Sequence, residues 1–264
     1  MKSITHFVIS VSVLNIGLSR ILIGVNMLLT TGNFHDWLGL TMLLSCWIGY
    51  TCYSRSRSRY SASLSSVLAQ YREEWMIRVI ARENRTSDAS LISSLRASVS
   101  FFASTSILVV AGLITGIAAS EQAVSVISTI PFVRTTTQEL WELKMLVMIT
   151  IFIYSFFEFT WSLRLYNFVC IVMGNAPFPK EVAGNENEQS EYGKTAGNIM
   201  TLAASHFNFG LRAYYFALGT LSWFIDPRLW MGITIFVTII LYSREFHSKA
   251  LSILVGYNLP PKLS

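Results

Sequence analysis

Four ionisable side chains interrupt the long apolar segments of this sequence, and their type and position could support chemistry. They are Glu158, Arg164, His206 and Arg212. A charge at membrane depth is energetically unfavourable and usually faces the interior of a helical bundle or water. Glu158 and Arg164 lie six residues apart, so they point to different sides of one helix and do not form an i,i+4 pair. Glu158 is therefore expected to pair with another helix, and Arg212 is the natural partner because its helix runs back from the same side of the membrane.

Two interpretations of these side chains remain open. In the first, Glu158 and an arginine form a structural interhelical pair, as intramembrane polar contacts often do, and the arginines reach towards the membrane surface. In the second, a small polar cavity opens to the cytoplasm. Its predicted lining is Glu158, Asn167, His206, Asn208 and Arg212.

The sequence contains none of the common catalytic or nucleotide-binding motifs, whether HExxH, P-loop, GxGxxG or GxSxG. His206 stands alone on a mainly apolar helix, and a haem or metal ion would need a second ligand there. The three cysteines show no CxxC or Cys/His spacing. We therefore predict no catalytic residue, no cofactor and no metal site.

The composition predicts helices that cross a membrane. Hydrophobic residues make up 52% of the chain and charged residues only 13%, about half the usual share in a soluble domain. Several apolar runs approach the roughly 20 residues that a spanning helix needs. The predicted fold is all-α, a polytopic helical membrane bundle of about five transmembrane helices plus one cytoplasmic amphipathic helix at 61–83. The predicted spans are 36–53, 98–118, 143–173, 203–225 and 229–243.

The distribution of arginine predicts the orientation. The loop 54–98 contains eight arginines, whereas 119–142 contains one. Basic residues concentrate in cytoplasmic loops, so the loop 54–98 and the C-terminus are predicted to be cytoplasmic. The net charge of +5 is then explained by these loops, and no nucleic-acid partner is expected.

The chain divides into three predicted regions. Residues 1–33 form an apolar N-terminal extension, and three interpretations of it remain open: a helix, a cleaved signal sequence, or translation from upstream of the true start. Residues 34–256 form a single helical membrane domain. Residues 257–264 form a C-terminal tail.

Several long strings of residues resemble bacterial members of a family of multi-pass membrane proteins called domain of unknown function 599. They are YREEW (71–75), ENR (83–85), SVSFFAS (98–104), RLYNF (164–168), FNFGLRAYYF (207–216) and LYSREFHS (241–248). The resemblance covers roughly residues 34–256, implies a bacterial inner-membrane location and supplies no activity. It also draws attention to Arg164, Asn167, Arg212 and Tyr214. With these, the predicted intramembrane polar site comprises Glu158, Arg164, Asn167, His206, Asn208, Arg212 and Tyr214.

Three functions follow as hypotheses. The first is a non-enzymatic accessory or scaffold protein, because catalytic motifs are absent and the arginine-rich loop could bind anionic lipid or a protein partner. The second is a small transporter or channel subunit, which would have to form a homo-oligomer or join a larger complex. The third is a membrane enzyme acting on lipid or quinone, with Glu158 or His206 as acid or base.

Overall fold

The computed structural model describes residues 32–58, 61–129, 131, 136–178 and 186–256. Most of the predicted extension 1–33 and the whole tail 257–264 lie outside these residues. Within them the fold is all helical, as predicted. The helices are α1 (Phe34–Arg57), α2 (Leu64–Ile80), α3 (Thr86–Ala118), α4 (Ser120–Ile127), α5 (Gln138–Asn175), α6 (Glu186–Thr220), α7 (Pro227–Phe246) and α8 (Lys249–Gly256), with a 3₁₀ turn at Leu221–Phe224 between α6 and α7.

Three helical segments of the described chain are long and apolar enough to cross a membrane, fewer than the five predicted. They are Thr86–Ala118, Gln138–Asn175 and Pro227–Gly256. The other two predicted spans, 36–53 and 203–225, also form helices, within α1 and α6. Helix α6 begins with a polar segment, and α1 carries serine, threonine and arginine, so neither is as apolar as the other three. Both lie beside the apolar helices along the length of the bundle.

Helix α6 packs closely on its neighbours because it presents small residues to them. A side-chain carbon on Gly197 would lie 2.6 Å from the Cα atom of Glu73 in α2, and one on Gly193 would lie equally close to Ile77. Gly210 lies directly against the ring of Phe159 in α5. A helix predicted at 61–83 is present as α2, and it packs on α6.

Buried hydrogen bonds of Asp36 and Lys144 join the helices at one end of the bundle. The carboxylate of Asp36, at the start of α1, accepts a hydrogen bond of 2.7 Å from Trp223 Nε1. Trp223 stacks on Trp230 with 4.2 Å between ring centroids, and Lys144 Nζ donates to the Trp223 carbonyl at 2.9 Å. Asp226 caps the start of α7 and Pro227 follows it. This confirms the predicted break between the spans 203–225 and 229–243.

Arginine side chains connect the helices at the other end of the bundle. Arg85 donates to the carbonyl oxygens of Met173, Ala176 and Pro177 at the end of α5, where a helix leaves its last carbonyls without internal partners. The buried carboxylate of Asp88 accepts from both Arg82 and Trp75. These contacts hold α2, the start of α3 and the end of α5 together.

Replacing Gly197 by alanine tests the close packing of α2 on α6. We expect Gly197→Ala to destabilise the protein by about 1–3 kcal/mol, because the added carbon must push the two backbones apart. The measurement is thermal unfolding of the detergent-purified protein. Gly232→Ala is the control, since nothing lies within 4 Å of its added carbon and alanine favours a helix. Equal stability of the two variants would contradict the close packing.

Candidate functional site

Glu158 and His206 form the central contact of the site. His206 Nδ1 lies 2.7 Å from Glu158 Oε2, and this hydrogen bond joins α5 to α6 within the apolar part of α5. The local packing explains the contact. Gly210 lies against Phe159, so the two helices approach closely there, and His206 stands one turn before Gly210. The close approach brings the imidazole to the neighbouring carboxylate.

The expected pairing of Glu158 with Arg212 is wrong. Arg212 is buried, 8% exposed, and its Nη2 donates instead to Ser54 Oγ in α1 at 3.2 Å. The guanidinium also lies 5.0 Å from the ring centre of Tyr50, and aromatic faces stabilise such a cation. Arg212 lies six residues after His206, which turns it about 120° away around the helix. It therefore points to α1 while His206 points to α5.

Ser54 and two further side chains belong to the site, and the sequence interpretation missed all three. Tyr154 lies close enough to Glu158, Arg55 and Arg212 to interact electrostatically with each. The guanidinium of Arg55 lies 4.7 Å from the ring centre of Phe209. Tyr154 stands four residues before Glu158, a spacing that places both on one helix face and could have predicted it. We call Ser54, Arg55, Tyr154, Glu158, His206 and Arg212 the polar cluster.

The Glu158–His206 pair lies at the surface of the bundle. The side chain of Glu158 is 16% exposed and that of His206 is 23% exposed. The residues around the pair that face outwards are apolar or aromatic, namely Tyr154, Phe157, Trp161 and Leu202. We call this surface of α5 and α6 the pair face. An ionisable pair is thus presented on an apolar surface of the membrane domain.

The remaining predicted site residues lie elsewhere. Arg164 and Asn167 are exposed on α5 and point about 120° and 180° away from Glu158. Asn208 is half-buried on α6. The hydroxyl of Tyr214 lies 3.0 Å from Ser106 Oγ and donates to the Phe102 carbonyl at 3.1 Å. Tyr214 therefore joins α6 to α3 within an aromatic core that also contains Phe152 and Phe159.

The chemistry available to the pair is proton exchange and hydrogen bonding. A carboxylate and an imidazole can share or transfer a proton, and histidine changes charge near physiological pH. The described part of the chain contains no group of three His, Cys, Asp or Glu side chains that could hold a metal ion. Positive charge lies on one side of the pair, because Arg55 belongs to α1 and the guanidinium of Arg212 contacts Ser54 and Tyr50 of α1.

A double-mutant cycle on Glu158→Ala and His206→Ala measures the interaction free energy between the two side chains. We expect a coupling free energy of about 1 kcal/mol, the usual size for hydrogen bonds between membrane helices. The measurement is unfolding of the wild type, both single variants and the double variant. Glu158→Ala combined with Trp75→Phe is the control, since Trp75 bonds Asp88 in another cluster and their effects should add. Additivity in the first cycle would contradict a direct interaction.

Comparison with known protein families gives a match over most of the chain. A family model described as "Protein of unknown function, DUF599" matches residues 38–250. The match begins in α1 and ends in α8, so it includes the whole polar cluster. No curated protein and no solved structure matches the chain.

Proposed function

This chain belongs to the DUF599 family, whose function is unknown, and we propose that it is a non-enzymatic accessory subunit of a larger membrane protein assembly. The observation that carries the proposal is the partly exposed Glu158–His206 pair on the pair face. On this view the pair face is the surface that meets another membrane protein.

The pair lacks one hydrogen-bond partner. His206 Nδ1 is occupied by Glu158, but His206 Nε2 makes no hydrogen bond with any described residue, although the side chain is only 23% exposed. A polar atom that faces hydrocarbon without a partner is unfavourable. A polar group on a neighbouring protein would remove this penalty and would fix the orientation of the two proteins.

The residues around the pair suit a protein contact. Trp161 lies 6.3 Å and Phe209 lies 5.9 Å from the imidazole ring, both measured between ring centroids and both edge-on. Phe157 is 65% exposed beside them. Aromatic side chains around a central polar contact are typical of the residues that contribute most to binding at interfaces.

A second candidate function is a subunit of a small transporter or channel. The specific observation in its favour is that Tyr154 lies within electrostatic reach of Glu158, Arg55 and Arg212. A second copy of the chain placed over the pair face would enclose these ionisable groups. The pair would then exchange protons along a path between the two copies.

We further propose that the loop 54–98 and the C-terminus face the cytoplasm of a bacterial inner membrane. The support is the positive-inside tendency and the clustering of Arg55, Arg57, Arg82, Arg85 and Arg244 at one end of the bundle.

Cysteine labelling tests this orientation. In a variant without native cysteines, Ser128→Cys should react with a membrane-impermeant thiol reagent applied outside spheroplasts. Ser87→Cys should react only after permeabilisation. Both positions are exposed on the protein, so protein burial does not protect either. The reverse pattern would place the arginine-rich loop outside.

Photo-crosslinking tests the accessory role. A photoreactive amino acid at Phe157, on the pair face, should yield one defined adduct with another membrane protein in native membranes. The same residue at Leu108 of α3 is the control, because Leu108 is 73% exposed on another helix. The adduct at 157 should fall about tenfold when His206→Leu removes the polar contact, while the thermal stability of the purified protein is retained.

The other crosslinking results separate the alternatives. An adduct at 157 with the mass of two copies of this chain would favour the transport function. Proton or solute flux in proteoliposomes, abolished by Glu158→Gln, would then be expected. Lipid adducts alone at both positions would contradict the accessory role.

A further inference from the structure

A groove lies between α1 and α7, away from the Glu158–His206 pair. It has a volume of about 360 Å³, and its lining includes Cys46, Gly49, Tyr53, Ile239 and Tyr242. Gly49 lies on its wall, and nothing lies within 4 Å of the position that a Cβ atom would take there. Ile239 is 58% exposed and Tyr53 is 45% exposed, so the groove is open towards the surrounding membrane.

The guanidinium of Arg57 lies at the arginine-rich end of this groove. Arg57 Nη1 donates to the hydroxyls of Tyr53 and Tyr242, the first on α1 and the second on α7. The guanidinium also lies 5.1 Å from the ring centre of Phe246. Aromatic rings and two hydroxyls therefore hold the charge in one position at the end of the apolar groove.

Most of the donor capacity of Arg57 is unused. A guanidinium has five N–H donors, and the hydrogen bonds that Arg57 makes with described residues involve Nη1 alone. The groups on Nε and Nη2 form the planar fork that binds the oxygen atoms of a phosphate in pairs. Arg57 makes no ion pair with a described carboxylate, so its charge also lacks an anion.

We propose that this groove binds one anionic phospholipid, with an acyl chain between α1 and α7 and its phosphate on Arg57. The volume lies within the usual range for small-molecule sites. Basic pockets between membrane helices on the cytoplasmic side recognise anionic headgroups. The tyrosine hydroxyls hold Arg57 by accepting hydrogen bonds, which leaves the remaining guanidinium donors directed to the ligand.

Native mass spectrometry of the purified full-length protein tests the site. The protein is titrated with phosphatidylglycerol and, separately, with phosphatidylcholine of the same chain length. Wild type is expected to hold one phosphatidylglycerol more tightly than any other lipid. Arg57→Gln should weaken this binding about tenfold, as expected for the loss of a charge-assisted contact, and should leave phosphatidylcholine binding unchanged.

Two matched controls accompany the test. Arg244→Gln removes a neighbouring cation that bonds Tyr215 instead, and it should retain the tight phosphatidylglycerol. Gly49→Leu places a larger side chain in the groove, where nothing lies within 4 Å of its Cβ position, and it should also lose the lipid. Gly112→Leu, at an equally open glycine on α3, should keep it. Gly49→Leu keeps the test valid if Arg57→Gln folds poorly.

Three results would overturn the proposal. They are unchanged phosphatidylglycerol binding in Arg57→Gln, an equal loss in Arg244→Gln, and unchanged binding in Gly49→Leu. Competition by glycerol phosphate as effective as that by the whole lipid would also overturn it, because the groove would then contribute nothing.

Discussion

A side chain on Gly193, Gly197 or Gly210 would collide with α2 or α5, so α6 can occupy the centre of the bundle only because these positions lack one. Close approach compensates for the weak hydrophobic drive between helices in lipid. It also sets the geometry of the Glu158–His206 pair, since the contact between Gly210 and Phe159 brings His206 next to Glu158. The polar pair is thus a consequence of how closely α5 and α6 pack.

Three other buried ionisable groups form hydrogen bonds to residues elsewhere in the fold. Asp36 accepts from Trp223, Asp88 accepts from Arg82 and Trp75, and Arg212 donates to Ser54. Buried polar groups are nearly always satisfied in this way. His206 differs, because one ring nitrogen lacks a partner among the described residues at a partly exposed position. The pair face, unlike the more deeply buried charges, therefore offers a polar atom that a second molecule could bond.

The sequence predicted the positions of the helices well, because hydropathy and capping are local properties. The break between the predicted spans 203–225 and 229–243, which falls at Asp226, is an example. It predicted the presence of Glu158, His206 and Arg212 at similar depth, but not their pairing. Pairing depends on the rotation of each helix, which packing at Gly210 decides. Arg55 and the α1–α7 groove could not be predicted, since both depend on which distant helix lies beside α1.

Helix α1 connects the two proposed sites. Ser54 and Arg55 belong to the polar cluster, while Tyr53 lines the groove and Arg57 bonds Tyr242 across it. Helix α1 contacts α6 through large side chains, since the ring of Trp47 stacks on that of Phe216 with 5.6 Å between centroids. Helix α2 instead contacts α6 at Gly193 and Gly197. A contact through large side chains can adjust by rotamer changes more readily than one between backbones. A lipid held between α1 and α7 would therefore contact the helix that also supplies Ser54 and Arg55.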